Sequence, residues 1–170
     1  MKKLFFLVLI TGLIGMNAFA QQDKSKRPSP PAKISATTKT GVTITMDYSR
    51  PSVKGRTIGQ EIAPYGKVWR SGANEATVFE VNKDVKVEGQ TLPAGKYGFY
   101  SIPGEKEWTL IFNKTWKQWG TNYNEQDDAL RVKVKPAKSS SFNEKLTYTI
   151  ADNGTVSLLW GDTQVDFRVR

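Results

Sequence analysis

The chain has 170 residues, 25 lysines and arginines against 16 acids for a formal charge of +9, and neither cysteine nor histidine. No disulfide can form, so packing and hydrogen bonds must carry the stability. Without Cys and His the usual zinc sites and the Ser-His-Asp and Cys-His nucleophile systems are excluded. Any catalysis is left to carboxylates, hydroxyls, lysine or tyrosine.

The basic residues are spread along the chain, with no run of five. They read first as an ordinary solvated surface, and second as an attraction to anionic envelope polymers or lipid head groups. There is no Gly-rich phosphate loop and no nucleotide fingerprint, and nucleic acid is not an expected partner.

Taken in chain order, Lys2 and Lys3 precede an apolar run, Leu4 to Ile14, broken only by Thr11 and Gly12. Ala18-Phe19-Ala20 then supplies a small-x-small site. This three-part pattern predicts a secretory signal peptide over residues 1–20. The apolar run falls short of the about 20 residues a bilayer span needs. The expected mature chain is exported, periplasmic or extracellular, and lacks a transmembrane segment. Residues 21–31, "QQDKSKRPSPP", are polar, basic and proline-rich, and read as a flexible lead-in. Residues 32–170 suit one domain with one core.

From residue 33 the pattern is β. Strands are expected over 33–38, 42–48, 76–81, 85–87, 96–102, 107–113, 130–136, 142–150, 155–160 and 164–170. The clearest alternation is "LRVKVKP", with Leu130, Val132 and Val134 on one face and Arg131, Lys133 and Lys135 on the other. Asn153-Gly154 is the favoured hairpin pair, and Gly161-Asp162 reads as a further turn. About nine to ten short strands at this spacing predict an all-β antiparallel sandwich, or a barrel-like variant of it. Helix is confined to a short turn near Ile58 to Ala63, ended by Pro64.

Residues 49–75 form the longest stretch without strand pattern, and long irregular loops in compact domains are often functional. Within it "YGKVWRSGANEAT" gathers Trp69, Arg70, Gly72, Asn74 and Glu75. In one reading these are staples: Trp69 plugs the sandwich end, Arg70 pairs internally, with Glu75 as a partner, and Asn74 holds a turn. In the other they form a ligand site, an aromatic platform beside a guanidinium, an amide and an acid.

"SRPSVKGR", "PYGKVWRSGANEAT", "LPAGKYGFYSIPGEKEWTLIFNK", "QWG" and "LRVKVKP", in that order, resemble the signature of a family of exported bacterial proteins catalogued as a domain of unknown function. The resemblance runs from about residue 30 to the C-terminus. It implies an exported β-rich domain and carries no catalytic residue with it.

A second constellation, "NKTWKQWGTNY", offers Trp116, Trp119 and Tyr123 for stacking on sugar rings, beside the amides Asn113, Gln118 and Asn122. Its alternative is burial in the core or over a sheet end. "NEQDD" at 124–128 clusters oxygen groups but lacks the glycine-bearing pattern of a dedicated calcium loop. Two-carboxylate hydrolysis would need Glu75 to face Asp47 or Glu61 across a cleft. The leading expectation is a binding module for a glycan, an envelope polymer or a protein. Its site would be built from Trp69, Arg70, Asn74, Glu75, Trp116 and Trp119, with no metal and no cofactor. One alternative is a hydrolase or lyase with Glu75 as acid or base and Arg70 as electrostatic stabiliser. The other is a purely structural interaction domain.

Overall fold

A computed structural model describes residues 23–170. The expected signal peptide lies outside the described residues. Among the described residues ten strands are present: β1 Pro31–Thr37, β2 Thr43–Ser49, β3 Thr77–Val81, β4 Val85–Val87, β5 Gln90–Leu92, β6 Gly95–Ile102, β7 Trp108–Asn113, β8 Asp128–Val134, β9 Pro136–Ile150 and β10 Thr155–Arg168. They pair antiparallel in a six-stranded sheet ordered β1-β2-β3-β6-β7-β8, a long β9–β10 hairpin and a small β4–β5 hairpin. The architecture is an all-β antiparallel sandwich, as the alternation predicts.

The period-two pattern sets the faces. Ile44, Met46 and Tyr48 of β2 point into the core while Asp47 between them is exposed. Across the sandwich, Phe79, Phe99 and Phe112 meet Phe167 of β10 at centroid distances of 6.1, 5.4 and 6.0 Å. Tyr148 of β9 meets Tyr48 edge-on at 4.7 Å. Each such pair contributes about 0.5–1.5 kcal/mol beyond the area it buries. Because every second residue of the six-stranded sheet faces away from this core, its outer face is free to build something else. A second, smaller cluster forms there from Ala76, Tyr100 and Ile111, with Ile102 and Tyr123 packed against it.

Two local expectations are corrected and a third is refined. Gly161-Asp162 is not a turn: β10 runs through it with register shifts between Leu159 and Gly161 and between Gly161 and Thr163, and Gly161 has φ +56. Bulges and tight turns both use left-handed glycine, so the sequence signal is the same for each. β9 begins at Pro136 and not near Phe142, because β10 pairs with the polar stretch 136–141, which has no apolar alternation of its own. The helical turn near 58–63 is a single turn in which the amides of Gln60, Glu61 and Ile62 converge on the Thr57 carbonyl.

The lead-in, expected to be flexible, is seated on the domain. Its 3-10 turn Lys24–Lys26 is capped by Asp23, whose side chain accepts from the Ser25 amide. Residues 27–30 then run along the loop that precedes β3.

Candidate functional site

The 69–76 loop divides in two. Its first half turns inward. The Trp69 backbone exchanges two 2.8 Å hydrogen bonds with Ser101 of β6, which fastens the loop to the sheet. The Trp69 ring stacks on Trp160 at 5.2 Å and 11° and meets Trp108 edge-on at 6.2 Å. Its Nε1 donates to the Gly72 carbonyl at 3.1 Å. The Ser71 carbonyl accepts from the Tyr148 hydroxyl at 2.8 Å and the Thr77 hydroxyl at 3.1 Å. The Ser71 hydroxyl donates to Ser101 Oγ at 2.9 Å. Burial holds the Tyr148 phenol far above its ordinary value, with the neighbouring Tyr48 adding to the effect. Trp69 is therefore half-buried and packed against the core.

Arg70 occupies a middle position. It is half-buried, and Gly120 lies so close to its aliphatic stem that no side chain would fit there. Its buried Nε has no hydrogen-bond partner among the described residues. Burial lowers its pKa and the nearby Tyr100 opposes the shift. The Arg70–Glu75 pair expected from the sequence does not form. The fold places Arg70 under the 114–122 segment, while Glu75 faces the lead-in.

The second half of the loop turns outward. Arg27 Nη1 donates to Glu75 Oε1 and Oε2 at 3.0 and 2.9 Å, and Lys24 Nζ lies 2.9 Å from Oε1. Asn74 Nδ2 donates to the Ser29 carbonyl at 3.0 Å. Partial burial alone would raise the Glu75 carboxyl. Hydrogen bonds from Lys24, the Glu75 backbone amide and Arg27, together with the Lys24 charge, outweigh it and hold the group down at about 2.

Beside Glu75 an open cleft of about 430 Å³ lies on the outer face of the six-stranded sheet, within the range of about 300–1,000 Å³ common for ligand pockets. Ala76 and Val78 of β3 line it, with Asp47 from neighbouring β2. Lys24 and Pro31 stand on the lead-in side, and Trp116, Lys117 and Gln118 on the other. The 114–122 segment is held in place by backbone bonds from Ala76 to Gln118 at 3.1 Å and from Gly120 to Asn74 at 3.0 Å. Gln118 Nε2 also donates to the Tyr100 hydroxyl at 3.0 Å. Gly98 allows this close approach: a Cβ there would meet the Thr115 carbonyl at 2.9 Å. The Lys96 ammonium sits 5.3 Å from the Trp116 ring, a cation–π contact.

Of the expected site residues, Glu75 and Trp116 come together in the cleft. Trp119 does not join them: its backbone bridges to Glu75 while its side chain, 48% exposed, stands outside the cleft. Of the two acids weighed as partners for Glu75, Asp47 lines the same cleft. Glu61 lies elsewhere, accepting from the Thr57 amide at 2.9 Å. The acids of 124–128 are used locally. Asp128 accepts from Asn113, Tyr123 and Arg131, and Arg131 also pairs with Glu125. Burial first, and then the Asp128 hydrogen bond and charge, push the Tyr123 phenol up to about 12.

Sequence reasoning missed Lys24 and Arg27 as the partners of Glu75, because Arg27 stands 48 positions away from it. The one available signal was the basic character of the lead-in.

Residues 29–169, nearly all of this fold and including Asn74, Glu75, Asp47 and Trp116, match the family model described as "Protein of unknown function (DUF2911)". The chain belongs to that family. No curated protein and no solved structure matches it. The DUF2911 match begins at Ser29, so Lys24 and Arg27 precede it while their partner Glu75 lies within it. Among the described residues no helix is long and apolar enough to cross a membrane.

Proposed function

We propose that this DUF2911 chain is an exported binding module whose outer-face cleft takes a sugar unit of a glycan or envelope polymer. The observation that carries this reading is one open cleft lined by the Trp116 indole, the Gln118 amide and Asp47, a carboxylate with no ion pair among the described residues. An indole face packs on the apolar face of a sugar ring, and a free carboxylate accepts from hydroxyls.

The hydrolytic alternative receives less support. A general acid works best with a pKa near the operating pH, and Glu75 is held at about 2 by two cations. It is an anchor for charge and a poor proton donor. The export reading rests on the leader pattern of residues 1–20. Intact-mass measurement of extracytoplasmic protein is expected to show a chain starting at Gln21, and an intact Met1 start in the cytosol would overturn it.

The cleft is tested by titrating a panel of envelope oligosaccharides into the wild-type chain, Trp116→Ala and Asp47→Asn by calorimetry. Each substitution is expected to weaken binding at least about ten-fold, equivalent to about 1.4 kcal/mol. Asp47 is exposed and Trp116 half-buried, so the unfolding free energy should change by less than about 1 kcal/mol for Asp47→Asn and by about 1–2 kcal/mol for Trp116→Ala. Trp119→Ala is expected to bind as wild type. No binding by any oligosaccharide, or unchanged binding by Trp116→Ala, would remove this reading.

A further inference from the structure

The lead-in is bound as a peptide ligand would be. Pro28, Pro30 and Pro31 favour an extended, polyproline-like course, which leaves its carbonyls without internal partners. The domain takes two of them in succession: Asn74 Nδ2 donates to Ser29 O at 3.0 Å and the Arg50 amide donates to Pro30 O at 2.9 Å. The basic side chains are taken separately, Arg27 by both oxygens of Glu75 and Lys24 by one. Backbone groups held by one set of donors and side chains by a charged pocket is how extended and proline-rich segments are commonly recognised.

The binding is also superficial. The 3-10 turn Lys24–Lys26 has no buried residue. The Lys24 and Glu75 side chains are 52% and 39% exposed. The exposed Lys24–Glu75 pair contributes little, about 0–1 kcal/mol, and is screened by salt; the Arg27–Glu75 pair is part-buried but shares the same 39% exposed carboxylate. What keeps the segment seated is its attachment to β1, which raises its effective concentration into the millimolar range. A segment held this way can exchange with an equivalent one.

We infer that Arg50, Asn74 and Glu75 form a docking site for an extended basic segment of the pattern Lys-x-x-Arg-Pro-x-Pro, and that residues 24–30 of this chain are its reversible occupant in cis. The inference goes beyond the sugar-binding reading and needs no sugar in the cleft, although Lys24 and Glu75 belong to both.

The test follows amide hydrogen exchange in the chain from Gln21 onward, with the Arg50 amide as reporter and the Ile44 and Phe79 amides as controls for an intact sandwich. Reversing both cations, Lys24→Glu with Arg27→Glu, is expected to speed Arg50 exchange at least about ten-fold and leave the controls unchanged. Adding Glu75→Arg to that double variant restores the charge match and should bring Arg50 back to within about three-fold of wild type. A synthetic peptide of residues 21–31, added at millimolar concentration to the double variant, should slow Arg50 exchange at least about three-fold. The same peptide should have no effect when the chain also carries Glu75→Gln. Wild-type exchange rates in the double variant, or peptide protection that ignores Glu75→Gln, would overturn the docking site. Arg50 protection in the wild-type chain that appears only as the protein is concentrated into dimers would overturn the cis assignment and place the segment on a second copy.

Discussion

Two halves of one eight-residue loop behave as different materials. Trp69, Ser71 and Gly72 turn toward the sandwich core, with the indole between Trp160 and Trp108 and the Ser71 carbonyl taking two buried hydroxyls. From Asn74 to Glu75 it is a polar surface that holds the chain's own N-terminal segment. The contacts of the inward half fasten the loop to the sheet and so place Asn74 and Glu75 beside the cleft. Residues in left-handed backbone conformation, Ser71 at φ +49 and Asn74 at φ +61, lie in each half. Such conformations persist where surrounding contacts over-determine them.

The contrast predicts large stability effects on the inward half and small ones on the outward half. The largest is Trp69→Ala. Removing an aromatic ring packed against two others is expected to cost about 3–5 kcal/mol, read as a lower urea midpoint. A cost under about 1 kcal/mol would show that the inward half is not packed against the core. Next comes Gly120→Ala, at the boundary between the halves. The new Cβ would press on the Arg70 stem and lie 2.8 Å from the Asn74 carbonyl oxygen. Overpacking of this kind typically costs about 1–3 kcal/mol. A neutral Gly120→Ala would mean that the 114–122 segment moves freely over Arg70.

The smallest effect belongs to Glu75 and has a pH signature. Its carboxyl sits at about 2 in the folded chain against an ordinary value of 4.5. A depressed folded-state pKa stabilises the fold fully above about pH 4.5, and that contribution is lost as pH falls toward about 2. Because the side chain is 39% exposed, solvent screening keeps it under about 1 kcal/mol. Glu75→Gln should therefore lower the urea midpoint slightly at pH 6 and match wild type near pH 2. A larger loss for Glu75→Gln than for Trp69→Ala would reverse the comparison.

The strands were legible because alternation is a local property. Ile44, Met46 and Tyr48, or Leu130, Val132 and Val134, declare a buried face whatever they pack against. Gly161 was misread because left-handed glycine serves bulges as well as turns, and only the presence of β9 opposite decides between them. The polar half of β9 was invisible because its partner, not its composition, makes it a strand. In the loop the unusual residues were legible, but the direction of each side chain was not. Trp69 could have faced a ligand, and the structure gives it to Trp160.

Absence of cysteine and histidine, β-strand periodicity and turn residues are written in the order of residues along the chain. From them follow the all-β class, the chemistry excluded and the rough place of each strand. The partner of Glu75, the packing of Trp69 against the core and the meeting of Asp47 with Trp116 across one cleft depend on segments far apart in sequence. Arg27 and Glu75 stand 48 positions apart, and no local pattern links them. Only closure of the sandwich, driven by burial of its aromatic core, brings the two within hydrogen-bonding distance.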